Sequence, residues 1–521
     1  MPSQQTDHLI QLIQSMTKAE KRSFSLYVNR GNSAGEKLFM QLFDYIDGVK
    51  NYDEKDLLKK IPQIKKVQLS NIKANLTKQL LANLRHLHRN DFSDIHIREM
   101  LDFARILQAK GMTKASLDTL DKARKLAETS QETILLYEII DAERKIETQY
   151  ITGSSTQKAI HINHQSTQLL SKVNMLDRLS NLSLMLYGMY LKDGYVKNLK
   201  DYESLKEYFY NHLPAVQISK LGFYEKIYYF QSFVWYYHMT QDFVNYYKYS
   251  QKWVDTFKDK PALVKEHQTL YLKGVHNALN ALYMANKREK FLQHYAEYLS
   301  FEHTLHHHLS GIQVDNYFLF KYVHLLNKIF MTGDYDQGVK EISELAHVLK
   351  SEKYHWDINR EIIFNYKMAC VYFGADDYAS TIEYLNKIIN SPLGGLREDI
   401  QCFARILTLI SHYEMGNDFL VSYQIRSFYR FLIKMGDLQA VQKEILNFIR
   451  RTPQMSKSDL MTEFKNLRSR LSKYQNDPYE RRPFLYLDII SWLDSKIEKK
   501  RIQDVIKEKI IKSRKKNKGS K

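Results

Sequence analysis

His303 and His307 stand one helical turn apart in the run Phe301-Glu302-His303-Thr304-Leu305-His306-His307-His308. That spacing could hold one metal ion between two imidazoles. No cysteine or second acidic ligand recurs at matching spacing, so the pair reads better as histidines closing a helix near its negative dipole end. Other chemistry-bearing patterns are missing: there is no GxGxxG, no GK[ST] phosphate loop, no HExxH, no paired CxxC and no nucleophile elbow. Gly394-Gly395 reads as a turn, and Asp53-Glu54 and Asp376-Asp377 read as helix starts. The expectation is a non-catalytic protein with no cofactor and no metal. Arg360, Arg405 and Arg426 lie beside apolar positions from which a guanidinium could reach a ligand carboxylate, and are the candidate partner-binding residues.

Charge supplies a second candidate. The chain carries 77 basic and 59 acidic residues, a formal net charge of +18. Twelve basic and three acidic residues fall between Lys496 and Lys521, so half the excess sits in the last stretch of chain. This segment begins as a helix through Ile497, Ile502, Ile506 and Ile510. It ends in a run expected to be disordered, where Lys512, Arg514, Lys515, Lys516 and Lys518 are candidate phosphate contacts. On this reading, truncation at Lys499 abolishes any salt-sensitive retention on nucleic acid.

The elements that must position these residues are helices. Glycine and proline number only 18 and 8 in 521 residues, about 5% against roughly 12% on average. So few breakers exclude a hairpin-rich β fold. Apolar residues recur at three- and four-residue spacing, as in Leu117, Leu120, Ala123 and Leu126, and in Ile134, Ile139, Ile146 and Tyr150. Turns recur as well. The residue two places after each turn's polar or glycine residue falls at Thr113, Ser155, Tyr195, Phe243, Arg288, Tyr335, Tyr378 and Phe419. Successive intervals are 42, 40, 48, 45, 47, 43 and 41 residues. A polar or glycine turn reverses the chain, and an aromatic just inside the second helix packs back over the first.

This register resembles a tetratricopeptide-type helical repeat. Ala369, Tyr372, Asp376, Tyr378, Leu385, Ile388 and Pro392 match one copy; Gly333-Asp334-Tyr335 with Gly338 match another. Gly338, Thr381 and Ser422 supply the small residue three places into the second helix, whereas Tyr246 and Phe291 do not. The spacing exceeds the repeat's usual 34 residues. The resemblance implies an all-α, right-handed α–α superhelix with long repeats. A tyrosine-rich repeat body behind an N-terminal bundle is also similar to an uncharacterised group of bacterial helical proteins.

The expected organisation is an N-terminal bundle over 1–90, repeats over 91–450, capping helices over 451–495 and the basic helix and tail over 496–521. In the bundle, Thr17-Lys18-Ala19-Glu20 has the spacing of a capping box. The helix from Leu69 to Leu87, with Lys73, Lys78, Arg85 and His86, could be the second helix of a DNA-binding pair. A cap on the first repeat is the favoured reading, because the joining segment Pro62–Gln68 is long. The aromatic run Tyr224, Tyr228, Tyr229, Phe230, Phe233, Trp235, Tyr236 and Tyr237 is expected to pack between helices. Met1–Ile10 lacks the pattern of an export signal, and Cys370 and Cys402 are too few for a disulfide framework, so a cytoplasmic protein is expected. The expected function is a scaffold or adaptor binding a protein or peptide on a concave surface. The alternative is a nucleic-acid-associated regulator that uses the N-terminal helices or the basic tail, with the repeat body as sensor. Neither partner identity nor oligomeric state is legible.

Overall fold

The structure is a computed structural model, and it describes residues 8–518 apart from 29–33, 50–51, 150–154, 259, 306–310, 352–353, 355, 392–397, 418–423, 425–439, 452–454, 476, 478, 481–483 and 485–487. The described residues are helical with no strand. Contacts group them into two units. One comprises Met1–Asp177, Gly222–Tyr224 and Ala262–Glu266; the other comprises Arg178–Leu221, Glu225–Pro261 and His267–Lys521.

The first unit begins with α1 (His8–Ser15), α2 (Lys18–Val28), α3 (Ala34–Gly48), α4 (Glu54–Lys60) and α5 (Lys66–His88). These enclose a core that includes Leu9, Ile13, Phe24, Phe43, Ile46, Leu76 and Leu80. The capping box forms as its spacing predicts: Glu20 N–H donates to Thr17 Oγ1 at 3.3 Å, and Thr17 N–H donates to Glu20 Oε2 at 2.6 Å. A separate core, including Ile97, Leu120, Leu135 and Ile146, lies between α6 (Ser93–Ala109), α7 (Thr113–Thr129) and α8 (Thr133–Gln149). Residue 90 falls between these two cores, although both belong to one contact unit. The expected apolar stripe of α8 holds at Ile139 and Ile146 but fails at Ile134, which is 50% exposed while Leu135 takes the inner position. Tyr150 lies outside the described residues.

The long helix α9 (Thr156–Asp193) contributes to both units. The second unit continues with α10 (Leu199–His212), α11 (Phe223–Met239), α12 (Phe243–Asp255), α13 (Pro261–Glu266, almost wholly grouped with the first unit), α14 (Gln268–Met284), α15 (Arg288–Leu305) and α16 (Gly311–Thr332). Next come α17 (Tyr335–Glu341), α18 (Ser343–Ser351), α19 (Ile358–Gly374), α20 (Tyr378–Ile389) and α21 (Glu398–Glu414). The last four are α22 (Ala440–Arg451), α23 (Lys457–Ser472), α24 (Ile489–Glu498) and α25 (Ile502–Lys518). Within this unit α14, α16, α19 and α21 pack side by side in succession.

One turn recurs at the hairpins, and it sets the register. A left-handed residue ends one helix at Gly111, Gln131, Gln241, Asn286, Gly333 and Asp376, and the next helix starts two residues later. The amide between them reaches five residues back: Met112 to Leu107 (3.0 Å), Asp242 to Tyr237 (3.0 Å), Lys287 to Leu282 (2.9 Å) and Asp377 to Tyr372 (3.0 Å). This closure satisfies a carbonyl that the helix end leaves open. Of the eight register positions, Thr113, Phe243, Arg288, Tyr335 and Tyr378 begin a helix. Ser155 immediately precedes one, its hydroxyl accepting from Lys158 N–H. Tyr195 departs: it lies after Gly194, four residues before α10, because the single 38-residue helix α9 replaces the expected hairpin. Phe419 lies outside the described residues.

The residue three places further on points inward at Ser116, Tyr246, Phe291, Gly338 and Thr381. Small members let the pair close up: Ser116 donates to Ala104 O at 2.7 Å, and a Cβ on Gly338 would stand 2.6 Å from Ile329 Cγ2. Where the residue is large it bridges instead, Tyr246 Oη donating to Asn277 Oδ1 at 2.8 Å. Ser422 lies outside the described residues. The aromatic run on α11 packs as expected, with Phe233 against Tyr249 at 4.2 Å between centroids and Tyr236 against Phe209 at 4.4 Å.

Candidate functional site

Polar side chains gather where α14, α16 and α19 face one another in the second unit. Lys367 on α19 donates to Asn327 Oδ1 at 2.6 Å. Asn327 Nδ2 lies 3.4 Å from His324 Nδ1, and His324 Nε2 lies 3.0 Å from His276 Nδ1. The donors order this chain. An ammonium can only donate, so Asn327 accepts through its oxygen and offers its NH2 to His324. His324 then carries its proton on Nε2 and donates to His276, which leaves the neutral His276 with a proton on its own Nε2. Four side chains from three helices are thereby set in one direction, ending in an N–H donor.

Burial keeps the two imidazoles neutral. It pulls His276 down to about 3, with help from the charges of Lys367, His238 and Arg360. His324, fully buried, is held well below the usual histidine range, and the charges of His276 and Lys367 add to the effect. Lys367 itself is drawn down to about 8 by burial. Its ammonium also lies 5.6 Å from the Tyr283 ring centroid. Nearby, burial and the Arg360 charge lower Lys273, although the side chain keeps exposed surface. Among the described residues, no carboxylate pairs with Lys273 or Lys367. Among the described residues, Arg360 pairs within its own helix start, with Asp357 at 3.3 Å.

The arrangement extends along α14 and α11. Asn277 Nδ2 donates to Lys273 O at 2.8 Å, and Asn280 Nδ2 to Tyr246 Oη at 3.3 Å. His238 on α11 lies against the Tyr246 ring at 4.9 Å between centroids, and burial draws it down to about 4. These side chains offer hydrogen-bond donors and positive charge, and among the described residues no carboxylate pairs with Lys273 or Lys367. They can hold an anion or the carbonyls and carboxylates of a peptide. Burial pushes the Cys370 thiol up to about 12.

The sequence-derived candidates scatter. Arg360 joins the site. Arg405 stands on α21, its Nη1 donating to Gln401 O at 3.0 Å and to Gln401 Oε1 at 3.2 Å. Arg426 lies outside the described residues, as do His307 and the side chain of His303. Among the described residues, no group of three possible ligands for a metal ion occurs. Sequence reasoning missed Lys273, His276, His324, Asn327 and Lys367. Their only signal is polar residues at three- or four-residue spacing on otherwise apolar helices, at 273, 276, 277 and 280 and at 324 and 327.

The basic C-terminal segment requires correction. The sequence reading treats its charge as available, but α25 folds back and much of that charge is neutralised within the chain. Ile502, Val505 and Ile506 are buried. Arg501 pairs with Asp336 and Asp376, Lys507 with Asp334 at 3.1 Å, Lys509 with Asp494 at 2.7 Å, and Lys496 with Glu414. The helix also runs through Lys518 where disorder was expected, because its isoleucines anchor it. Lys512 is exposed, with a distant pairing to Glu508 at 3.9 Å. Arg514, Lys515, Lys516 and Lys518 belong to α25, but their side chains lie outside the described residues. No helix among the described residues is long and apolar enough to cross a membrane. No protein-family model, curated protein or solved structure matches the chain.

Proposed function

We infer that the protein is a non-catalytic helical-repeat scaffold or adaptor, built as a right-handed α–α superhelix like the tetratricopeptide repeat. Its concave wall is made by α14, α16 and α19, and its ligand is an acidic stretch of a protein or peptide. One observation carries the reading: Lys273 and the His276 N–H on α14 come together with Arg360 and Lys367 on α19, with no carboxylate supplied to Lys273 or Lys367 among the described residues. A partly buried lysine held below its normal range costs folding energy. An acidic ligand would supply the missing charge and repay that cost on binding. The oriented donors would bind peptide carbonyls or carboxylates directionally, and the charges would steer the encounter. The same reading places the protein in the cytoplasm, a reducing compartment in which Cys370 and Cys402, neither in a disulfide, persist as thiols.

Calorimetric titration of the full chain with glutamate-rich, neutral and lysine-rich peptides of equal length tests this. The glutamate-rich peptide is expected to bind best, and the Lys273→Ala/Lys367→Met variant to weaken it by about tenfold or more. Equal affinity for all three peptides, or an unaffected variant, would refute the reading.

A further inference from the structure

Helix α5 contains no aspartate or glutamate in 23 residues. Five carboxamides, Gln68, Asn71, Asn75, Gln79 and Asn83, recur along it at three- and four-residue spacing and so share one flank. Gln68, Asn71 and Asn75 are exposed; Gln79 is half-buried. Asn83 is 3% exposed, its Oδ1 has no hydrogen-bond partner, and it borders a groove of about 490 Å³ between α2 and α5. Lys18, Arg22 and His86 line the same groove. Among the described residues, none of these three, nor Lys78 on α5, has an acidic partner. The start of α5 is open too: its N-cap is Lys65, which makes no side-chain capping bond.

We propose that α5, with the facing edge of α2, is a binding surface for duplex DNA, in which α5 enters the major groove. A helix of this length spans about 34 Å, and the major groove, about 12 Å wide, admits it. Carboxamides are the side chains that pair bidentately with adenine, so Asn71 and Asn75 would read base edges. Lys18, Arg22, Lys66 and Lys78, with the uncapped helix start, would hold phosphates. The approach to α5 fits the role. The link from α4 is only residues 61–65, shorter than the sequence suggested, because α5 begins at Lys66. Ile61 and Ile64 in that link are buried, which fixes the angle of entry. An acidic peptide would satisfy the cations but has no use for a stripe of exposed amides on a carboxylate-free helix.

The test is fluorescence polarisation of a labelled mixed-sequence duplex of about two helical turns with the full chain. Four phosphate contacts imply about a hundredfold loss of affinity between about 50 and 200 mM salt. Lys18→Glu/Arg22→Glu/Lys78→Glu is expected to weaken binding and to lower the log–log salt slope by about three. Asn71→Ala/Asn75→Ala is expected to leave that slope unchanged and to relax the sequence preference recovered by selection from a random duplex pool. Circular dichroism confirms that each variant is folded; these positions are exposed, and a misfolded variant is replaced by the single Arg22→Glu. Any of four results overturns the proposal: no salt-dependent binding, an unchanged charge-reversal variant, tighter binding of single-stranded RNA or of a glutamate-rich peptide at this surface, or binding lost on truncation after Lys512.

Discussion

Arg501 and Asp336 lie 165 residues apart in the chain and meet as a two-pronged ion pair, Nη1 to Oδ2 at 3.0 Å and Nη2 to Oδ1 at 2.9 Å. The same guanidinium reaches Asp376 Oδ2 through Nε at 2.8 Å. One side chain thus joins the first turn of α17 to the turn before α20. The pair is half exposed, so its own contribution is modest, about 0.5–1 kcal/mol after solvent screening. The buried isoleucines behind it hold α25 in place. Arg501→Ala is therefore expected to speed hydrogen exchange over 502–510 while changing the global melting temperature little.

Gly333 offers a sharper test of the same docking. Its φ is +68°, and a Cβ there would stand 2.7 Å from Ile506 Cγ2. Gly333→Ala combines the left-handed cost of roughly 1–2 kcal/mol with displacement of α25. Gly111→Ala is the control, since its φ is +76° and nothing lies within 4 Å of the added carbon. In chemical denaturation, Gly333→Ala is expected to lose more stability than Gly111→Ala. Equal losses would show that α25 does not rest on that turn.

Acid is expected to weaken the second unit earlier than its carboxylates alone would. His238 and His276 sit near 4 and 3, and His324 also lies well below 6.5. The unfolded chain takes up protons on them below about 6.5, and the folded chain resists. Stability is thus fully present above about 6.5 and falls as pH drops toward the folded values. At pH 5 His238 and His276 each contribute about 2 kcal/mol of this loss. Melting temperature followed from pH 7 to pH 5 checks it, and His238→Phe is expected to flatten the profile.

Lys367→Met is expected to raise stability, by on the order of 1–2 kcal/mol, by removing a crowded charge that lacks a carboxylate. A stabilised variant that also loses glutamate-peptide binding is the pattern of a functional residue. A destabilised variant would make Lys367 a structural donor to Asn327 instead.

How much of this was legible in the sequence depends on the range of the signal. Turn chemistry is local, so Tyr335 and Tyr378 mark helix starts and Thr17–Glu20 forms its box. The site is not local. Lys273, His324 and Lys367 come from helices α14, α16 and α19, and each is ordinary in its own segment. Only packing shows that His276 meets His324. Arg360 was found because a basic residue beside apolar positions is visible in sequence, whereas Arg405 has the same signature and turns back to Gln401. The tail misled for a related reason: counting Arg501, Lys507 and Lys509 as free charge ignores Asp334, Asp336 and Asp494, which only the fold brings within reach. Ile134 failed because a one-residue shift of phase on a helix moves a side chain from core to solvent.

Hydrogen exchange of the full chain with and without a saturating glutamate-rich peptide locates the binding wall most directly. Slower exchange is expected in 268–284, 311–332 and 358–374, the three helices that carry Lys273, His324 and Lys367. Protection confined to 8–88 or to 502–518, with those three helices unchanged, would contradict it.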